Sequence, residues 1–76
     1  MFTKTHSFKV ENARVNDFLR LVGTFGFRYD LSDELIEIDS LNPEIKHRYR
    51  YIRIYATNRR IQKLYEALAL LMNYRF

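Results

Sequence analysis

The segment Lys46-His47-Arg48-Tyr49-Arg50-Tyr51-Ile52-Arg53-Ile54-Tyr55 joins guanidinium groups to phenol rings in alternation, and Arg59, Arg60 and Lys63 follow it. Between positions 46 and 63 there are seven Lys/Arg and no Asp or Glu. Tyrosine rings offer faces on which nucleobases stack, at about 1–3 kcal/mol per base, while Arg and Lys neutralise phosphates. The chemistry expected of the run is therefore contact with an anionic polymer. Tyr49, Tyr51 and Tyr55 would stack bases. Lys46, Arg48, Arg50, Arg53, Arg59, Arg60 and Lys63 would meet phosphates, helped by the open amides at the start of a helix.

Charge is sorted along the chain. Residues 1–45 carry five basic and eight acidic groups, whereas residues 46–76 carry eight basic groups and Glu66 as their single acid. The net charge is +4, and a field of this sign draws anionic partners. The acidic cluster Asp33, Glu34, Glu37 and Asp39 lies on alternating strand positions, which scatters it over two faces and suits a solvated edge better than a hard-cation site. Arg53 is also expected to pair with a carboxylate on the neighbouring strand, which offers Leu35, Glu37 and Asp39 on the outward face. Such exposed pairs contribute about 0–1 kcal/mol but would neutralise the basic strand.

No catalytic constellation is visible. His47 beside Arg48 or Arg50 has the components of a small ribonuclease site, a proton carrier and a phosphate clamp. No second acid–base group is positioned by the sequence, however, and His6 has no charged company. The expectation is a non-enzymatic protein with neither cofactor nor metal. Cysteine is absent, so neither disulfides nor a structural zinc site can brace the fold. This usage fits the cytoplasm. The first residues lack the apolar stretch of a signal peptide, and the run Ala67 to Met72 is far short of the roughly 20 residues that cross a bilayer. A soluble protein is expected.

Five elements are expected to position these groups. Thr5 to Val10 alternates as a strand. Asn12 is a candidate N-cap for a helix whose Val15, Phe18, Leu19 and Val22 form one stripe, stopped by Gly26. Phe27, Tyr29 and Leu31 share a phase, but Ile36 and Ile38 fall on the opposite parity. A bulge or break near Ser32-Asp33 is needed to reconcile them, followed by a strand over 34–39. Asn42-Pro43 marks a loop, and 47–57 is the strongest strand. Asn58 or Thr57 caps a last helix with Ile61, Leu64, Tyr65, Leu68, Leu71 and Met72 on one side.

The order β-α-β-β-α over residues 1–76 predicts a single α+β domain. Its architecture is a two-layer sandwich, a three-stranded, mainly antiparallel sheet with both helices on one face. The topology resembles a ferredoxin-like arrangement lacking its last strand. In the basic strand, Tyr49, Tyr51, Arg53 and Tyr55 should face away from the helices, and Arg48 and Arg50, in phase with the core, should curl past the helix ends.

A 76-residue core is marginal, so a partner is expected as well. Ala67, Leu70, Tyr74 and Phe76 lie on a second side of the last helix and form a candidate protein interface. That surface suits a homodimer. It also suits a small phage- or mobile-element-type regulator that inhibits a larger host protein by docking through this helix and a sheet edge.

Overall fold

The computed structural model describes residues 3–73 of the chain. Lys4–Glu11 forms β1, followed by a 3-10 turn at Asn12–Arg14 and helix α1, Val15–Phe25. Strands β2 (Arg28–Leu31), β3 (Leu35–Ile38) and β4 (Lys46–Ala56) come next, and helix α2 (Asn58–Leu71) closes the succession. The α+β class is as expected, with four strands in place of three. The extra strand arises because the second extended region divides into β2 and β3. Every pairing is antiparallel, and β4 is the shared partner of all three other strands. It lies between β1 on one side and β2 with β3 end to end on the other.

The division between β2 and β3 resolves the parity conflict. Leu31 pairs with Ile52 and Leu35 with Tyr49. Three residues on the edge strand thus oppose two on β4. One extra residue is inserted, and Tyr29, Leu31, Ile36 and Ile38 all reach the same face. Ser32 holds the break: its amide donates to the Tyr51 carbonyl at 3.0 Å, and its hydroxyl accepts from the Tyr51 amide at 2.8 Å. A side chain here replaces a missing rung of the ladder.

Both helices cover one sheet face. Phe8, Val10, Ile52 and Ile54 from the strands meet Val15, Phe18 and Val22 of α1 and Ile61, Leu64 and Leu68 of α2, all buried. Phe8 sits at the junction, its ring 5.3 Å from Phe18 and 5.6 Å from Tyr65. Gly26 ends α1 in the left-handed conformation at φ 71°, a stop that glycine adopts without steric cost. Thr57, the second of the two expected residues, caps α2 by accepting from the Arg60 amide at 3.3 Å.

Two local expectations are corrected. Asn12 does not cap α1. Its amide group donates to Glu34 at 3.2 Å and its oxygen accepts from Arg50 at 3.4 Å, so it ties the 3-10 turn to the β2–β3 break. Leu71, expected within the buried stripe, is 74% exposed. It lies on the last turn of α2, where it lines an open groove with Leu21 and Thr24 of α1.

The helix layer ends level with Val10 and Arg50. Val10 is buried, Arg50 is half-buried, and Lys46, His47 and Arg48 are exposed. Beyond that level only β3 and β4 continue, as a two-stranded arm in a molecule measuring 45 × 23 × 18 Å. At its tip the Asp39 carboxylate accepts from the amides of Leu41 and Asn42 at 2.8 and 3.2 Å.

Candidate nucleic-acid interface

The antiparallel register sets part of the basic strand against acids. Acidic residues 30–39 run back along β4, so charges separated in sequence meet in space. Arg48 lies 3.2 Å from Glu34, and Arg53 lies 3.7 Å from Asp30. Asp30 is thus the carboxylate that pairs with Arg53, in place of the Glu37 or Asp39 that alternation suggested. Glu37 pairs with His47, six residues along β4 from Arg53, and Asp39 lies beyond it, so neither acid reaches that guanidinium. Glu37 instead takes Lys9 at 2.7 Å, and Asp39 stands 3.9 Å from the His47 ring.

The tyrosines lie where alternation placed them, on the sheet face turned away from the helices. Tyr51 is 40% exposed, while Tyr49 and Tyr55 are half-buried. Tyr49 and Tyr51 meet edge to face at 5.6 Å, and the Lys9 ammonium sits 4.4 Å above the Tyr49 ring. The Tyr55 hydroxyl donates to Asp30, a bond that raises its pKa above the ordinary tyrosine range because ionisation would set two negative oxygens together. On this face Lys9, Arg28 and Arg53 stand against Glu11, Asp30 and Glu37, so its charge is balanced.

Arg48 and Arg50 do not join the tyrosines. They share the opposite face of β4 with Ile52 and Ile54. Arg50 donates to the Ser32 carbonyl at 3.0 Å and to Asn12, and therefore clasps the β2–β3 break.

Five further cations gather at one end of the molecule. Arg59, Arg60 and Lys63 occupy the first two turns of α2, directly after β4 ends at Ala56. Lys4 pairs with Ala56 in the ladder, and Arg28 pairs with Tyr55. Five basic groups thus converge on one pole, roughly 33 Å along β4 from Lys46. Among the described residues no carboxylate lies within 4 Å of any of the five. Arg60 donates to the Phe25 carbonyl at 3.2 Å and sets its guanidinium 4.9 Å from the Phe27 ring. Two adjoining concavities share Phe27 and Arg60. The larger, about 610 Å³, is lined by Arg28, Tyr29, Asp30 and Tyr55, and the smaller, about 330 Å³, by Arg59 and Lys63.

Sequence reasoning missed Lys4 and Arg28. No local signal marks them, because they reach the pole only through pairing with the end of β4. Of the expected protein interface, Leu70 is 84% exposed and Ala67 is half-buried, while Tyr74 and Phe76 lie outside the described residues. No group of three or more His, Cys, Asp or Glu able to hold a metal ion occurs among the described residues. Among them, no helix is long and apolar enough to cross a membrane.

Two carboxyls on the arm give the fold a pH dependence. The amides of Leu41 and Asn42 hold Asp39 below the usual carboxylate range, and the hydrogen bond from Lys9 does the same for Glu37. A lowered folded pKa contributes stability that is present above the unfolded value, about 4, and is lost as pH falls through the folded one. The urea midpoint should therefore drop on acidification below about pH 5, and drop less in Asp39→Ala. Equal acid sensitivity in the variant would show that Asp39 does not anchor the turn.

No protein-family model matches the chain, and no curated protein or solved structure shows significant similarity to it.

Proposed function

We propose that this chain is a small non-enzymatic binding module that contacts nucleic acid, alone or within a nucleoprotein assembly, through its basic pole. The observation that carries the reading is the contrast between the two groups of cations. Arg48, Arg53 and Lys9 already have carboxylate partners, whereas Lys4, Arg28, Arg59, Arg60 and Lys63 have none within 4 Å among the described residues. An anion arriving at the pole displaces no internal ion pair there. The open amides at the start of α2 add donors of the same sign, and Tyr29, 44% exposed beside Arg28, offers a ring for an unpaired base.

A salt series tests this. Binding of labelled single-stranded and duplex oligonucleotides should weaken steeply with salt, with log K falling by about 0.7 to 0.9 per phosphate contact for each unit of log salt. Four or five contacts would give a slope of about −3 on single strands to −4.5 on duplex. Absence of binding at low salt, or a flat series, would refute the reading.

A regulator that docks on a larger protein is the second reading, and it is supported by Leu70 and Leu71, which stand 84% and 74% exposed on the last turn of α2. Leu70→Asp would then abolish inhibition of the partner and leave oligonucleotide binding unchanged.

A further inference from the structure

Arg60 is held at both ends. Its amide donates to the Thr57 hydroxyl at 3.3 Å, and its guanidinium donates to the Phe25 carbonyl at 3.2 Å. The surface beneath that guanidinium is built by the turn out of α1. Gly26, at φ 71°, brings Phe27 beside Phe25, and the two rings lie 5.7 Å apart and nearly parallel, at 11°. The guanidinium covers the Phe27 ring at 4.9 Å from its centroid. Phe27 is 7% exposed, whereas Arg60 stands exposed above it. Among the described residues no second ring lies over the guanidinium. Arg59 and Lys63, by contrast, make no side-chain hydrogen bond among the described residues.

We propose that Arg60 stacks an unpaired base, which makes single-stranded nucleic acid the ligand class of the basic pole; the inference rests on the pole binding nucleic acid. A phosphate contact needs charge and donors but no fixed plane. A base needs a flat face, and an arginine guanidinium offers one where a lysine ammonium does not. Phe27 is too covered to receive a base itself. Its ring instead backs the guanidinium and leaves the opposite face for the ligand. Because the Phe25 carbonyl and the Phe27 ring already fix this side chain, little of its rotamer freedom remains to be lost on binding.

The surroundings suit a strand that passes over Arg60. Phe27 and Arg60 form the wall shared by the two concavities of the pole. The larger, about 610 Å³, falls within the range of about 300–1,000 Å³ typical of small-ligand sites. Tyr29 lines it from the edge strand. Its partner in the ladder is Ile54, so it projects to the helix side, where α2 carries Arg60. Ring and guanidinium therefore border one space that a base can enter. Arg28 lines the same concavity, while Arg59 and Lys63 line the other, so phosphates on either side of that base find cations. In a duplex the bases are already paired and stacked on one another, and the guanidinium meets only the backbone.

An abasic single strand tests this, because it keeps every phosphate and lacks the bases. At matched salt the whole chain should bind an ordinary single-stranded oligonucleotide about tenfold more tightly than an abasic one of equal length, as expected of one stacked base. Arg60→Lys keeps the charge and removes the plane. It should bring the two affinities within about twofold of each other, by weakening binding of the base-bearing strand while the abasic affinity and both salt slopes stay as they were. Equal wild-type affinities for the two strands, with steep salt slopes, overturn the stacking and spare the pole. An equal loss for both strands in Arg60→Lys makes Arg60 a phosphate contact and overturns it too. Discrimination that survives Arg60→Lys does the same, and its disappearance in Tyr29→Ala would then place the base on the tyrosine. Binding of neither strand at low salt refutes the pole itself, and the stacking with it.

Discussion

Arg59→Ala combined with Lys63→Ala should lower oligonucleotide affinity about 100-fold, taking about 1.4 kcal/mol for each charge-assisted phosphate contact. The salt slope should shrink by about 1.8 in magnitude on duplex DNA, because two fewer counterions are released. Arg48→Ala combined with Arg53→Ala removes the same formal charge from the segment that dominates the sequence. Its effect should be within about threefold, since those guanidiniums are engaged at 3.2 and 3.7 Å with Glu34 and Asp30, and exposed pairs of this kind carry only about 0–1 kcal/mol. Fluorescence anisotropy on both doubles, at matched salt, separates the two sites. Equal losses in the two variants would mean that net charge, and not the pole, governs binding.

The largest effect on stability is expected from Phe18→Ala. Phe18 is fully buried, meets the Phe8 ring at 5.3 Å, and projects from the middle of α1 onto the sheet. Truncating a buried phenylalanine costs about 3–5 kcal/mol, through lost burial and the cavity left behind. Whole domains are stable by about 5–15 kcal/mol, and one of this size falls at the lower end. The variant should therefore be largely unfolded at 37 °C and show a urea midpoint displaced to a small fraction of the wild-type value. A loss below about 1 kcal/mol would mean that the helix layer repacks around the gap.

The fold was legible wherever periodicity alone decided it. The opposite parities of Phe27-Tyr29-Leu31 and Ile36-Ile38 demanded an inserted residue, and the register places it between Leu31 and Leu35. Gly26 stopped α1 as its conformational freedom required. Asn12 was misread because its side chain has competing partners 22 and 38 residues away, Glu34 and Arg50, and tertiary bonds there outweigh the local cap. Leu71 kept the helical spacing of the core stripe, but spacing carries no information about where the covering layer stops.

The candidate site was legible in kind and not in place. A run of seven basic residues without an acid looks like one cationic surface, yet strand alternation assigns its members to two faces and the hairpin returns Asp30 and Glu34 against them. Arg59, Arg60 and Lys63 escape this neutralisation because they follow the end of β4, where the acidic strand segment has already run out. Lys4 and Arg28 join them from residues more than 25 positions upstream, brought by the ladder. Long-range pairing of this kind leaves no trace in local composition.

Free cations at the start of α2, with neutralised ones along β4, are the physical basis of the account. Titrating isotopically labelled protein with a short oligonucleotide, while following amide and side-chain resonances by NMR, measures that distribution directly. The predicted outcome is a set of shift changes at Lys4, Arg28, Arg59, Arg60 and Lys63 that saturates together and fades with added salt. Changes centred on Tyr49, Tyr51 and Arg53, with the pole silent, would contradict it.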